Sequence, residues 1–264
     1  MKVEKNLQDN FIFQSLTHIG SYFLFTKQSM QWLFRSPYRW PEFFKHMEFI
    51  GNKSVFIICL TGFFTGMVLS FQIYLGFSLI NAENLVGPTV GLGIFRELGP
   101  VLTGLIVSAR AGGAMAARLG TMRVTEQIDA LDVMGISPLQ YLVSPRVFAA
   151  TICMPLLTAI FDAVAMLGSY LLGVHFLGLD EALFIDKVNN MIDPSHINEG
   201  LFKAACFGFI FGTVCTYQGY NAKGGARGVG DATNAGVVIS MVSIIVMDFF
   251  LTKLIRIYLG WTSL

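Results

Sequence analysis

The sequence predicts an all-α integral membrane protein: an N-terminal interfacial helix, five transmembrane helices and one short cytoplasmic loop helix, in a single domain over residues 1–264. Three observations carry this. Of 264 residues, 54% are hydrophobic and only 13% charged, with a mean hydropathy of +0.61, where a soluble domain carries about 25% charged residues. Five apolar runs reach the roughly 20 residues that a bilayer crossing needs. The charges are sorted by loop, so the net charge of +1 is uninformative about partners. No nucleic-acid-binding surface is implied.

Residues 1–48 contain no apolar run of spanning length, but mix Phe11, Phe13, Tyr22, Phe23, Phe25, Trp32 and Trp40 with Lys27, Arg35, Arg39 and Lys45. That mixture suits a helix in the headgroup layer. A cleaved signal peptide fits poorly because the first ten residues are polar. Pro37 and Pro41 should interrupt any long helix here. The first span, 54–75, is uncharged and holds Gly62 and Gly66 in GxxxG spacing, which permits close helix packing in lipid. Asn81, Asn84, Gly87 and Pro88 turn the chain into a second span, 91–117, with Ala109, Gly113 and Ala117 four residues apart.

The loop that follows is not a passive connector. Thr125 is placed to cap a helix over about 125–134, and Gly135 to stop it. Ile128, Leu131 and Met134 fall near one side, with Glu126, Asp129 and Asp132 beside them. Two to three turns are barely stable alone in water, so this helix should be docked. Ser144-Pro145 reads as N-cap and first residue of a third span, 145–173. A polar break over 174–197 leads to a fourth span, 200–218, with Gly208 and Gly212 in GxxxG spacing. A glycine-rich loop, 219–234, precedes the fifth span, 236–259. Lys and Arg number six in 1–48, three in 118–146 and two in 219–234, against none in 76–90 and one in 174–197. This bias puts the N-terminus in the cytoplasm and, after five crossings, the C-terminus outside, in the periplasm if the envelope is Gram-negative, with Lys253 and Arg256 as the exception.

Charges at membrane depth default to function when they face the protein interior. The candidates are Arg96, Glu97, Asp162, Lys203 and Asp248. The alternating span directions put Arg96, Glu97 and Lys203 at similar outer depth, with Asp248 somewhat deeper. They could snorkel outward or lock helices together. Alternatively they line a cavity for a charged amphipathic substrate, with Arg96 and Lys203 attracting an anionic head group, Glu97 and Asp248 holding them, and Tyr74 and Gln72 adding a wall. Cys59, Cys153, Cys206 and Cys215 lie in apolar runs and read as small hydrophobes. His18, His46, His175 and His196 form no metal pattern. No P-loop is present, so the chain does not bind ATP through one. Gly224 to Asp231 has a glycine-arginine-aspartate look but lacks the spaced aspartates of a metal-dependent synthase, and no hydrolytic set is apparent.

The stretches Arg96-Glu97-Leu98-Gly99-Pro100, Ala109-Arg110-Ala111-Gly112, Arg123 to Leu131, Val133-Met134-Gly135, Tyr141 to Arg146, and Gly219-Tyr220 through Ser240 resemble the MlaE-type permeases, membrane subunits of phospholipid ABC transporters. The resemblance implies that Glu126, Gln127, Ile128, Asp129 and Leu131 belong to a coupling helix that enters a separate cytoplasmic ATPase. That ATPase would bind ATP and Mg, leaving this chain no cofactor and no catalytic role of its own. It further implies a permease homodimer, an MCE-domain hexamer outside, and a STAS-domain protein on the ATPase. Phospholipid would occupy an outward-facing cavity between the two permeases, at the positions matching Arg96, Glu97, Lys203, Asp248 and Tyr74. The expected role is phospholipid movement between the inner and outer membranes of a Gram-negative envelope, maintaining outer-membrane asymmetry. The competing reading is an ion- or proton-coupled secondary transporter using Asp162 and Asp248, which five spans without an internal repeat suit poorly. A third is a scaffold that only anchors partners.

Overall fold

The computed structural model describes residues 11–33 and 39–258, and they are helical with short connections and no strand among them. The N-terminal helix α1 runs Phe11–Leu33 and is followed by α2, Trp40–Ser78. A long composite helix α3 covers Glu83–Val124, and the loop helix α4 covers Gln127–Val133. Then come α5, Leu139–Phe176, the short α6, Glu181–Met191, and α7 and α8, Pro194–Tyr220 and Gly225–Tyr258. Five of these, α2, α3, α5, α7 and α8, are long and apolar enough to cross a membrane. Parts of the N-terminal reading, residues 1–10 and 34–38 with Arg35 and Pro37, lie outside the described residues, as does the end of the fifth span at 259.

Several expected boundaries shift. Pro41 sits in the first turn of α2, where its missing N–H is no loss, so it interrupts nothing and residues 40–53 are continuous with the helix of the first span. Ser144 is not an N-cap: a π-helical turn over Leu139–Val143 already runs into it, and its hydroxyl donates to the Ser29 and Leu139 carbonyls. The polar break contains α6, whose Asp180 side chain caps the Leu183 N–H. The glycine-rich stretch is helical from Gly225, and only the few residues before it form a loop. Thr125 closes α3, its hydroxyl donating to the Thr121 carbonyl. The residue before α4 is Glu126, in a left-handed conformation at φ 58°, while Gly135 at φ 75° ends the loop helix as expected.

The bundle is held by close backbone contacts. The GxxxG step of α2 faces α5: a Cβ on Gly66 would stand 1.8 Å from the Ala165 carbonyl oxygen, so only glycine permits this approach. One turn further along, the Ser70 and Ser169 hydroxyls pair at 2.5 Å across the same interface. Phe161, Phe207, Phe211, Ile58 and Ile94 fill the main core between α2, α3, α5 and α7. Helix α1 docks beside α7. Tyr22 hydrogen-bonds Thr213 at 2.7 Å, and Phe25 stacks edge-on with Tyr217. Burial pushes the Tyr22 phenol above its ordinary value. The α4 helix lies at one end of the bundle and α6 at the other, where Phe184 fills the space above Gly87.

Candidate functional site

Near the α6 end the backbone of α3 is irregular, and that irregularity creates the site. The turn Ile94–Leu98 is π-helical, so the Gly99 N–H bonds the Ile94 carbonyl five residues back. Residue 100 is proline and has no N–H, which leaves the Arg96 carbonyl without its usual helical donor. Lys203 on α7 supplies one: its Nζ donates to the Arg96 carbonyl at 2.9 Å. It can reach because Gly200, one turn earlier, lies so close to the bulge that a Cβ would sit 1.9 Å from the Phe95 carbonyl oxygen.

The same ammonium also donates to Glu97 Oε2 and to Thr252 Oγ1, both at 2.6 Å. An ammonium has three N–H bonds, and these acceptors use all of them. Asp248 Oδ1, at 3.1 Å, is therefore an ionic neighbour with no hydrogen bond of its own to Nζ. Arg96 pairs through Nε with Glu199 Oε2 at 3.1 Å. Lys203 lies about nine residues into α7 and Asp248 ten residues before the end of α8. Both are thus roughly 14–15 Å in from the same end of the bundle, at 1.5 Å per residue.

The structure brings Arg96, Glu97, Lys203 and Asp248 together, as expected from the sequence, but distributes their roles differently. Lys203 is 2% exposed with its three donors taken, so it braces three helices. Glu97, with a side chain 39% exposed, is the most accessible member. With Glu199 included, three carboxylates face two cations. Tyr74 is half-buried against the main core and shares none of these hydrogen bonds or ion pairs among the described residues. Asp162 is buried on α5 and approaches the same bulge elsewhere, at the position a Gly99 Cβ would occupy.

Sequence reasoning missed Glu199 and Thr252. Both had a signal: Glu199 stands one helical turn before Lys203, and Thr252 one turn after Asp248.

At the opposite end, Ile128 of α4 is fully buried against Leu119 and Leu142, and Leu131 is half-buried. Asp129 pairs with Arg123. The helix is docked, as its marginal length required, but on its own chain. Its outward surface consists of Glu126, Gln127, Asp129 and Asp132 with Val133, 90% exposed, and Met134. The apolar tip at Val133 and Met134 was not foreseen as the outward one.

These features define an all-α protein with five helices long and apolar enough to cross a membrane, a braced ionic group at one end and a docked loop helix at the other. The chain belongs to the MlaE permease family: the family described as Permease MlaE matches residues 43–254. It is 41% identical over 236 residues to a probable ABC transporter permease protein of Rickettsia conorii, covering 89% of this chain and 91% of that one. It is 36% identical over 220 residues to a probable ABC transporter permease protein of Synechocystis, covering 83% and 84%. To the intermembrane phospholipid transport system permease protein MlaE of Haemophilus influenzae it is 36% identical over 215 residues, covering 81% and 82%.

Proposed function

We propose that this chain is the permease subunit of an ABC transporter that moves phospholipids between the inner and outer membranes of a Gram-negative envelope and so maintains outer-membrane lipid asymmetry. The observation that carries this reading is α4, a short helix pinned by Ile128 that turns acidic residues and the apolar Val133–Met134 tip away from the chain. A surface of that kind suits the groove of a separate cytoplasmic ATPase, which binds ATP and Mg and performs the hydrolysis. The permease itself then needs no cofactor.

The phospholipid assignment rests on the Haemophilus relative's name and on the ionic group at the far end. In this reading a second copy of the chain completes an outward-facing cavity. Glu97 and Arg96 border the lipid, Lys203 and Asp248 keep the wall rigid, and Tyr74 adds an amphipathic edge. An MCE-domain hexamer receives lipid outside, and a STAS-domain protein sits on the ATPase. The chain crosses the inner membrane with its N-terminus and α4 in the cytoplasm and its C-terminus in the periplasm. Isolation from its own membrane in mild detergent tests the reading: an ATPase subunit should co-purify in stoichiometric amount, and its consistent absence would overturn it.

A further inference from the structure

On the α4 side of the bundle, one phenyl ring gathers three cations. The Arg118 guanidinium lies 4.2 Å from the centroid of Phe49, Arg110 5.5 Å and the Lys53 ammonium 5.6 Å. Arg110 is held in place by the Phe49 carbonyl at 3.2 Å and the Ser54 hydroxyl at 2.9 Å, and it rides on the π-helical turn Ser108–Gly112. None of the three has a carboxylate within ion-pair distance among the described residues. Glu42 is taken by Lys45, and Asp129 by Arg123. Glu48 adjoins Phe49 in sequence but points about 100° round the helix from it. Three like charges gathered at the edge of an apolar bundle attract an anion.

The surface beside them shows which kind. Phe49, Lys53, Phe56 and Leu60 recur at helical spacing, within about 60° of one another on α2. Phe56 is 76% exposed and Leu60 is exposed as well. The stripe therefore runs from a cationic end at the α4 side to bare apolar surface along the span, a pattern that fits a head group at one end and acyl chains along the other. We propose that Lys53, Arg110 and Arg118 form a site for the phosphate of an anionic phospholipid in the leaflet on the α4 side. This site lies at the other end of the bundle from Glu97 and Lys203 and does not rest on the transport reading.

The test is native mass spectrometry of the purified full chain, titrated with dioleoyl phosphatidylglycerol or dioleoyl phosphatidylcholine. The variants are Lys53→Gln, Arg118→Gln and the two combined. Both side chains are exposed, and each single variant gives the same readout if the combination fails to fold. Wild type should prefer phosphatidylglycerol. The double variant should lose roughly thirtyfold in affinity for it, at about fivefold per basic side chain near a lipid surface, with phosphatidylcholine unaffected. Equal retention of the two lipids by wild type, or undiminished phosphatidylglycerol binding by the variants, would overturn the proposal. So would complete displacement by millimolar inorganic phosphate, which would mark a site for the free ion.

Discussion

Replacing Lys203 by methionine is the most informative single perturbation of the ionic group. The methionine keeps most of the side-chain volume, so the change removes one charge and three hydrogen bonds with little effect on packing. Three consequences follow. The Arg96 carbonyl loses the donor that replaced the missing Pro100 N–H, the Thr252 hydroxyl loses its ion contact, and Glu97 and Asp248 face each other without the cation between them. Removing one partner of a buried ion pair costs about 3–5 kcal/mol. Glu97 at 39% and Asp248 at 20% exposure can recover some solvation, so the loss should fall near the lower bound, roughly 3 kcal/mol. Equilibrium unfolding in mixed detergent micelles measures it. Combining Lys203→Met with Glu97→Gln and Asp248→Asn should recover most of the loss, because the uncompensated charges are then gone. A loss below about 1 kcal/mol in the single variant, the range of an exposed pair, would refute the bracing role.

Three further outcomes follow from the same geometry. Gly66→Leu should destabilise the bundle by about 3 kcal/mol or more in the same unfolding assay, since its Cβ meets the Ala165 backbone and a backbone cannot yield as a side chain does. Val133→Asp should leave stability within about 0.5 kcal/mol, as expected for an exposed site. It should nonetheless weaken association with the ATPase by about tenfold or more, read by co-purification against a concentration series. Asp162→Asn should leave stability at or above that of wild type within about 1 kcal/mol, because Oδ1 has no hydrogen-bond partner to lose. It should also retain ATP-driven transfer. Loss of transfer in a folded Asp162→Asn protein would revive the proton-coupled reading.

The spans were legible because charge-free apolar runs and GxxxG steps act through composition and spacing alone, and Gly62 and Gly66 meet α5 as small residues in lipid should. Four of the ionic residues were legible for a related reason: Arg96, Glu97, Lys203 and Asp248 are conspicuous against apolar neighbours, and alternating span directions put them at a common end. Their division of labour was not. It depends on the π-turn at Ile94–Leu98 and on the carbonyl freed by Pro100, and a local deviation in hydrogen-bond register leaves no periodic trace in the sequence. The failed caps have a similar cause. Thr125 and Ser144 have the right chemistry for N-caps, but helical backbone already precedes each, so their hydroxyls donate to carbonyls one turn back or on a neighbouring helix. For α4, the period identified an apolar side, yet seven residues are too few for periodicity to separate the buried Ile128 from the exposed Val133 and Met134.

The measurement closest to the centre of the account is lipid transfer between two differently labelled membranes by the reconstituted assembly, with and without ATP, for wild type and Glu126→Lys. Wild type should transfer lipid only with ATP. Glu126→Lys, which reverses the charge of the left-handed residue at the start of α4, should still allow ATP hydrolysis while transfer falls to background. Transfer at the same rate with and without ATP, or undiminished in Glu126→Lys, would contradict the claim that α4 drives the far end of the bundle.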